Sequence, residues 1–268
     1  MENKSCYYDS VAGNTLIPPL TLIKSTNTMK KVITLSDIQY PDNIDLSGVF
    51  KFIKDQKPDE IIYIGDIINA DGISRYWTGD KEEGVYNTVL EIEGFVKDVH
   101  SKIKAAAPKA KIVMTGGNHL EARVRKAINE KLFRERLLDL KKYLPDVKIL
   151  EYGLLYNVGK LHWTHGYYFG GNVAKKHLDV VDRNLIFGHT HTVTEWTKKS
   201  PIEDKPIFAK SIGCLCDLNP HYAHNMPNQW ANAIHISYVF PDGSFQEFTI
   251  RITDGKFFYD GKWYSGRK

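Results

Sequence analysis

Carboxylate, amide and imidazole side chains stand just beyond short apolar, β-branched segments of this chain. The segments cover residues 32–35, 61–64, 111–114 and 184–187, and the polar residues that follow them are Asp37, Gln39, Asp66, Asn118, His119, His189 and His191. In open α/β sheets, ligands bind beyond the carboxyl ends of the strands. Oxygen and imidazole donors in this mixture suit divalent transition metals. The pattern therefore predicts a two-metal site at one edge of a sheet.

Asp66 is the candidate for a carboxylate that bridges the two ions. Such a group must be held rigidly at a strand end, and Gly65 before it lets the backbone pass close to the ions. The other candidate ligands are Asp37, Gln39, Asn118, His165, His189 and His191. Because His189 and His191 are two positions apart, they would share a face of a regular strand, and at the turn that ends it both could reach adjacent ions.

The elements that must position these residues alternate between strand and helix from residue 31 to about 190. Strands are predicted at 31–36, 60–65, 111–115, 154–158, 161–164 and 184–187. Helices are predicted near 46–55, 84–107, 120–128, 130–143 and 172–180. From Val193 onward strands dominate, with Asp-Gly turns at 242–243, 254–255 and 260–261. The mixture predicts an α/β fold, a two-layer β-sandwich flanked by helices.

Length and composition limit the alternatives. At 268 residues the chain can bury one large core, and we expect an N-terminal arm over 1–30 followed by a single domain over 31–268. We expect no membrane partner, because no apolar run approaches the roughly 18 residues that span a bilayer. The formal net charge of +4 suits a phosphate-bearing partner without establishing one. The sequence does not define an oligomeric state.

The three cysteines provide no disulfide framework and fit a reducing, cytoplasmic setting. Cys214 and Cys216 alternate within an apolar segment. We interpret them as small buried hydrophobes rather than a metal site, since no further ligand lies nearby in the sequence.

The ordered series of motifs resembles the calcineurin-like metallophosphoesterase family, whose pattern is D-x-H, G-D-x-x-D/N, G-N-H-E/D, a lone His and G-H-x-H. Here the series is Asp37-x-Gln39, Gly65-Asp66-x-x-Asn69, Gly117-Asn118-His119, Thr164-His165-Gly166 and Gly188-His189-x-His191. The resemblance covers about residues 31 to 191. It implies a four-layer α/β/β/α arrangement, whose second sheet the β-rich remainder would complete.

The resemblance also implies a division of roles. One metal would take Asp37, Gln39, Asp66 and His191, and the other would take Asp66, Asn118, His165 and His189. A bridging hydroxide would attack a phosphomonoester or phosphodiester, and His119, outside the metal shell, would be the catalytic histidine beside Asp66. Mn²⁺ is the favoured cofactor, with Fe, Zn, Ni or Mg as alternatives.

Two departures from the family pattern affect these expectations. Gln39 replaces the histidine of the first motif, and a neutral amide oxygen is a weaker donor than imidazole. The first ion should therefore dissociate more readily than the second, and its site should favour Mn²⁺. Leu120 replaces the acidic residue that follows Gly-Asn-His, which leaves the orientation of His119 open.

Candidate substrate contacts lie around these motifs. Arg123, four residues after His119, would share a helix face with it and could clamp a phosphate, although a solvated helix arginine fits equally well. Asn69 and Arg75 follow Asp66 and could line the site. His221 and Tyr222 belong to a polar, Pro-bounded loop that could cover it or be an ordinary surface loop.

The leading hypothesis is hydrolysis of a phosphate ester, either a monoester or a diester, in a phosphorylated small molecule or nucleic acid, with a nucleotide or nucleic acid as the expected substrate. A DNA or RNA nuclease of the same fold is the nearest alternative and would need an open groove with basic walls. A non-catalytic metal-binding scaffold is the alternative from another class. A protein Ser/Thr phosphatase is disfavoured. That branch resembles G-D-x-x-D-R-G and R-G-N-H-E, whereas this chain has Asn69-Ala70 in place of Asp-Arg, Gly116 in place of the second Arg and Leu120 in place of the Glu.

Overall fold

The central strands of this protein are short and buried on both faces, as expected for the interior of an α/β fold. A computed structural model describes residues 28–123, 138–199, 205–220 and 227–266. In chain order the strands are β1 (Lys30–Ser36), β2 (Glu60–Ile64), β3 (Lys111–Thr115), β4 (Val147–Leu150), β5 (Tyr156–Val158), β6 (Leu161–Thr164), β7 (Asn184–Phe187), β8 (Val193–Lys199), β9 (Pro206–Ile212), β10 (Ala233–Val239), β11 (Phe245–Arg251), β12 (Lys256–Tyr259) and β13 (Lys262–Ser265).

The helices are α1 (Ser47–Gln56), α2 (Lys81–Phe95), α3 (Ser101–Ala106), α4 (Leu140–Tyr143) and α5 (Val173–Val181). The Asp80 side chain caps α2 by accepting the backbone N–H groups of Glu82 and Glu83. A π-helical turn over Val96–His100 joins α2 to α3 without a break. The long helix predicted over 84–107 is thus present, and it begins one turn earlier than its apolar stripe indicates.

Two sheets stack face to face. The first has the order β11-β10-β1-β2-β3-β4, with β1 to β4 parallel, and the second has the order β5-β6-β7-β9-β8. Apolar residues from the facing sides fill the space between them, including Ile62 and Ile64 from the first sheet and Trp163 and Ile186 from the second. The strands β12 and β13 form a separate hairpin.

Helices cover the outer faces of both sheets. Phe52 of α1 and Phe95 of α2 pack on the first sheet, and Leu178 of α5 packs on the second beside Phe187. The layers therefore run helix, sheet, sheet, helix, which confirms the predicted fold class.

The sequence prediction omitted β4. This strand is partly exposed and its Lys148 interrupts an already short apolar run, so it carries a weak signal on its own. The predicted strand over 154–158 is shorter than expected and begins at Tyr156. The predicted helices over 120–128 and 130–143 lie mainly outside the described residues, as does the predicted arm up to residue 27. Among the helices in the described ranges, none is both long and apolar enough to cross a bilayer.

Candidate metal centre

The candidate ligands come from both sheets and meet at one edge of the sandwich. Asp37 and Gln39 follow β1, Asp66 follows β2 and Asn118 follows β3. These three parallel strands end level, because Ser36 pairs with Ile64 and Ile64 pairs with Thr115. His165 follows β6, and His189 and His191 follow β7, whose ends are level in the second sheet. The fold thus brings all seven predicted ligands to the same edge.

The backbone at this edge is unusual. Five of the seven candidates have left-handed backbone dihedrals: φ is 48° at Asp37, 50° at Gln39, 42° at Asp66, 69° at His189 and 58° at His191. Non-glycine residues seldom adopt this conformation, which persists where the surrounding structure enforces it and is concentrated at functional sites. The chain therefore turns sharply after β1, β2 and β7, at the residues that carry these five candidate ligands.

The buried Asp66 and His165 form a tight group with the half-buried His189, and the potential ligand atoms of the three residues all lie within 4.8 Å of one another. His165 Nε2 lies 3.1 Å from Asp66 Oδ2, 2.8 Å from Asn118 Oδ1 and 3.2 Å from His189 Nδ1. The other ring nitrogen, Nδ1, donates to the carbonyl of Ile64 at 3.0 Å. In the neutral ring the lone pair of Nε2 therefore faces two oxygen acceptors and a second imidazole, an arrangement that requires a cation or a proton.

The electrostatics agree with that requirement. Burial lowers the pKa of His165, but the negative charge of Asp66 outweighs it and raises the pKa to about 9. Burial raises the pKa of Asp66, yet the charges of His165 and His119 bring it well below its usual range. Burial and the charge on His165 lower the pKa of His189 to about 4, which leaves that imidazole neutral and able to ligate.

Asp37, Gln39 and His191 form the second group. His191 Nε2 lies 3.3 Å from Asp37 Oδ1 and 3.3 Å from the side-chain amide of Gln39. The backbone N–H of His189 donates to Asp37 Oδ2 at 2.9 Å, and the Ser36 hydroxyl donates to the same oxygen. His189 therefore links this group to the group around Asp66.

Among the described residues, buried His189 Nε2 has no hydrogen-bond partner, and buried Asp37 Oδ1 has only the ion-pair contact with His191 Nε2 at 3.3 Å. A buried polar atom without a partner is costly and calls for an explanation such as an ion. Carboxylate, amide and imidazole donors with free lone pairs fit divalent transition metals. The residues present therefore suit a divalent cation.

Glycines permit the close approach of the strand ends. A Cβ at Gly65, where φ is +62°, would lie 2.5 Å from His165 Nδ1. A Cβ at Gly117 would lie 2.1 Å from Asp66 Oδ1 and 2.4 Å from the backbone nitrogen of Asp66. Any side chain at either position would displace a candidate ligand.

His119 lies beside Asp66 with one ring nitrogen directed at the site. Its backbone N–H donates to Asp66 Oδ1 at 2.9 Å, and its Nε2 lies 3.7 Å from Asp66 Oδ2. Its Nδ1 donates to the carbonyl of Asn69 at 3.0 Å, and this bond fixes the ring although position 120 carries no acidic residue. Leu120, at the position of the expected acid, is buried in the core. Burial lowers the pKa of His119.

The predicted substrate residues have mixed surroundings. Arg123 Nη1 donates to the carbonyls of Asn69, at 2.6 Å, and Ala70, at 3.0 Å, so that guanidinium nitrogen braces the turn that orients His119. The Asn69 amide donates to Asp42 at 2.6 Å. Arg75 stacks on the ring of Tyr76. Their substrate contacts stay predictions, and His221 and Tyr222 lie outside the described residues.

The interpretation of the cysteines needs a correction. Both are buried as expected, but a third potential ligand does lie beside them: Cys216 Sγ is 3.7 Å from His191 Nδ1, and the ligand atoms of Cys214, Cys216 and His191 lie within 4.8 Å of one another. The separation of 25 positions between His191 and Cys216 hid this proximity in the sequence. The contact follows from the pairing of β7 with β9, which places the segments after these strands side by side.

Two aromatic residues missed in the sequence flank the histidines of the last motif. The ring centroid of Phe169 lies 4.5 Å from that of His189, and the centroid of Trp230 lies 4.3 Å from that of His191. Trp230 carries no local signal. Phe169 ends an aromatic triplet bounded by Gly166 and Gly170, directly after His165, and that pattern could have identified it.

Comparisons with known proteins place the chain among distant relatives. No family model matches the sequence. The gene 54 protein of Mycobacterium phage D29 is 26% identical over 266 residues, with 87% of this chain and 97% of that protein covered. Vps29 from Entamoeba histolytica, solved in complex with Zn²⁺, is 11% identical with a TM-score of 0.45, covering 85% of this chain and 95% of that one. A Streptococcus pneumoniae protein described as a predicted phosphoesterase is 13% identical with a TM-score of 0.31, covering 83% and 98%. At these similarities the functional argument rests on the site itself.

Proposed function

We propose that this protein is a metal-dependent phosphoesterase that hydrolyses a phosphate ester of a nucleotide or nucleic acid. The observation that supports this most is the convergence of lone pairs around His165 Nε2, together with the buried His189 Nε2, which has no hydrogen-bond partner among the described residues. Structural polar networks normally satisfy such atoms within the protein. Several lone pairs directed at one another, without hydrogens between them, instead indicate a cation site.

The two groups of contacts suggest how two cations would be held. Asp37, Gln39 and His191 would serve one, Asn118, His165 and His189 would serve the other, and Asp66 would be shared between them. Cations bound there supply Lewis acidity that activates water and offsets negative charge on a phosphoryl group. The neutral amide of Gln39 makes its cation the weaker bound, so dialysis should remove that ion first. Equal retention of two ions in metal analysis would contradict this assignment.

His119 is the proposed proton donor to the leaving oxygen. Its Nδ1–H is committed to the Asn69 carbonyl, so the transferred proton must sit on Nε2, the nitrogen that faces Asp66. Burial disfavours the charged ring, and a bound phosphate dianion would restore the protonated form by its opposite charge. General acid catalysis of this kind contributes about 10²–10⁴-fold in rate.

The test is a screen of the Mn²⁺-supplemented protein against bis-p-nitrophenyl phosphate, p-nitrophenyl phosphate, nucleotides, ADP-ribose, and single- and double-stranded DNA. We expect turnover that chelation abolishes and Mn²⁺ restores. His119→Ala should lose about 10²–10⁴-fold in kcat with its metal content intact, and Asp66→Asn should lose both activity and metal.

The pattern of turnover distinguishes the alternatives. Diester-only turnover would indicate a nuclease or phosphodiesterase, and monoester-only turnover would indicate a nucleotidase. Loss of metal from His119→Ala would refute the role given to that residue. Metal binding without turnover of any ester would refute the proposal in favour of a scaffold.

A further inference from the structure

Phe169 is a large apolar side chain that remains 70% exposed although it lies against the candidate metal centre. One side of its ring contacts the imidazole of His189, with 4.5 Å between centroids and 51° between ring planes. Isolated exposed apolar residues are ordinary on protein surfaces. An exposed phenyl ring in contact with a candidate ligand of the reactive centre is in a position to touch whatever the centre binds.

The segment that carries Phe169 is held in place on several sides. The Tyr152 hydroxyl donates to the carbonyl of Gly166 at 3.0 Å, and the backbone N–H of Tyr167 donates to His177 Nε2 at 2.9 Å. His177 is fully buried, and its ring stacks between those of Tyr167 and Phe187. The ring of Phe169 is thus presented from a braced segment, so a ligand that stacks on it would lose little affinity to ordering the protein.

A hydrogen bond also holds Phe169 itself. The exposed Lys176 ammonium donates to the backbone carbonyl of Phe169 at 3.3 Å. A ligand that reaches the metal centre past His189 therefore meets an aromatic face on a held segment. A nucleobase joined through a sugar to a phosphate at the centre fits this arrangement, since bases stack on aromatic side chains.

We propose that Phe169 is a stacking platform for an unpaired nucleobase of the phosphoester bound at the centre. The proposal rests on the proposed function and adds to it the residue that selects for a base. The shared chemistry, an unpaired base next to a phosphate, can come from a mononucleotide or from a single-stranded nucleic acid.

Binding to the Mn²⁺-loaded protein, measured by calorimetry, tests this with matched ligand pairs. AMP is compared with ribose 5-phosphate, which has the same sugar and phosphate without a base. A single-stranded oligothymidylate is compared with an abasic oligonucleotide of equal length. The variants are Phe169→Ala, Phe169→Leu and Phe169→Trp, with Phe258→Ala as control, because Phe258 is a comparably exposed phenylalanine on the β12–β13 hairpin.

We expect Phe169→Ala to weaken binding of the base-bearing ligand about 5- to 100-fold and to leave its abasic partner unchanged. Phe169→Leu should weaken binding of the base-bearing ligand by the same factor, since leucine keeps the apolar contact but lacks the ring. Phe169→Trp should bind that ligand with the wild-type affinity. Phe258→Ala should match wild type. The pair that responds identifies the source, mononucleotide or strand.

Several results would overturn the proposal. These are equal binding of the base-bearing and abasic ligands by wild type, an unchanged affinity in Phe169→Ala, or a loss of Mn²⁺ in Phe169→Ala, which would make the ring a support for His189. Turnover of bis-p-nitrophenyl phosphate separates the two hypotheses. If it persists while base stacking fails, the proposed function stands; if no ester turns over, the proposed function fails whatever Phe169 does.

Discussion

Replacing Gly117 by alanine should damage the candidate centre without removing a single donor atom. Gly117 has φ of −121° and ψ of 169°, an extended conformation open to any residue, so the substitution introduces no backbone strain. The added methyl group would lie 2.1 Å from Asp66 Oδ1, where ordinary contacts begin at 3.4 Å. The carboxylate or the loop must therefore move by about 1.3 Å.

That displacement sets the expected magnitude. A shift of about 1 Å at a reacting centre can cost about 100-fold in rate, and disturbing the groups that position a ligand typically costs about 10- to 100-fold in metal affinity. Overpacking should also lower the free energy of unfolding by about 1–3 kcal/mol. Calorimetric Mn²⁺ titration, steady-state turnover and urea unfolding measure the three effects separately.

Gly171→Ala is the matched control, because a Cβ there has no heavy atom within 4 Å. It should change stability by no more than about 0.5 kcal/mol and leave Mn²⁺ affinity at the wild-type value. If Gly117→Ala bound Mn²⁺ and turned over substrate like the control, Asp66 would not be the shared ligand and the reasoning from close approach would be refuted.

Three further predictions concern protonation and packing. Cation binding at pH 7 should release about one proton, because His165 is protonated up to about pH 9 and must be neutral to bind a metal ion. Calorimetry in buffers of different ionisation enthalpy measures the number of protons released, and a value of zero would contradict the assignment of His165 as a ligand. Phe52→Ala should lower the free energy of unfolding by about 3–5 kcal/mol, because Phe52 packs edge-on against Phe257, Tyr259 and Tyr264; a loss below 1 kcal/mol in urea unfolding would show that the C-terminal hairpin contributes little. Burial lowers the pKa of His177 to about 4, so the folded protein binds a proton at this residue less readily than the unfolded chain does. The stability that neutral His177 contributes is therefore full above pH 6.5 and is lost as the pH falls toward 4. His177→Gln should reduce the fall in the free energy of unfolding between pH 6.5 and 5 by about 2 kcal/mol, and an unchanged pH dependence would contradict this.

The layers of the fold and the strand ends could be predicted from the sequence because both follow from local patterns. Buried runs such as Ile61–Ile64 identify strands, and parallel strands place the residues that follow them at one edge. What brings Asp37 close to His189 and His191 is the stacking of two sheets, which no local pattern encodes. The sequence therefore predicts which residues are candidate metal ligands but not the distances between them.

Contacts made by backbone atoms or across long separations could not be predicted. The orientation of His119 depends on the carbonyl of Asn69, and every residue type carries a carbonyl. The proximity of Cys216 to His191 depends on the pairing of strands from separate parts of the chain. Both contacts depend on tertiary structure, so they cannot be predicted from residue types and their spacing.

The division of donors between the sheets also bears on how the protein would come apart. The candidate aspartate and amide ligands follow strands of the first sheet, and the candidate imidazole ligands follow strands of the second. A cation bound by both sets would therefore cross-link the two sheets. Tightly held metal favours the native state by mass action, and the melting temperature would climb with free Mn²⁺ concentration. Removal of the cation by a chelator would then lower the stability of the whole sandwich as well as the activity of the site at its edge.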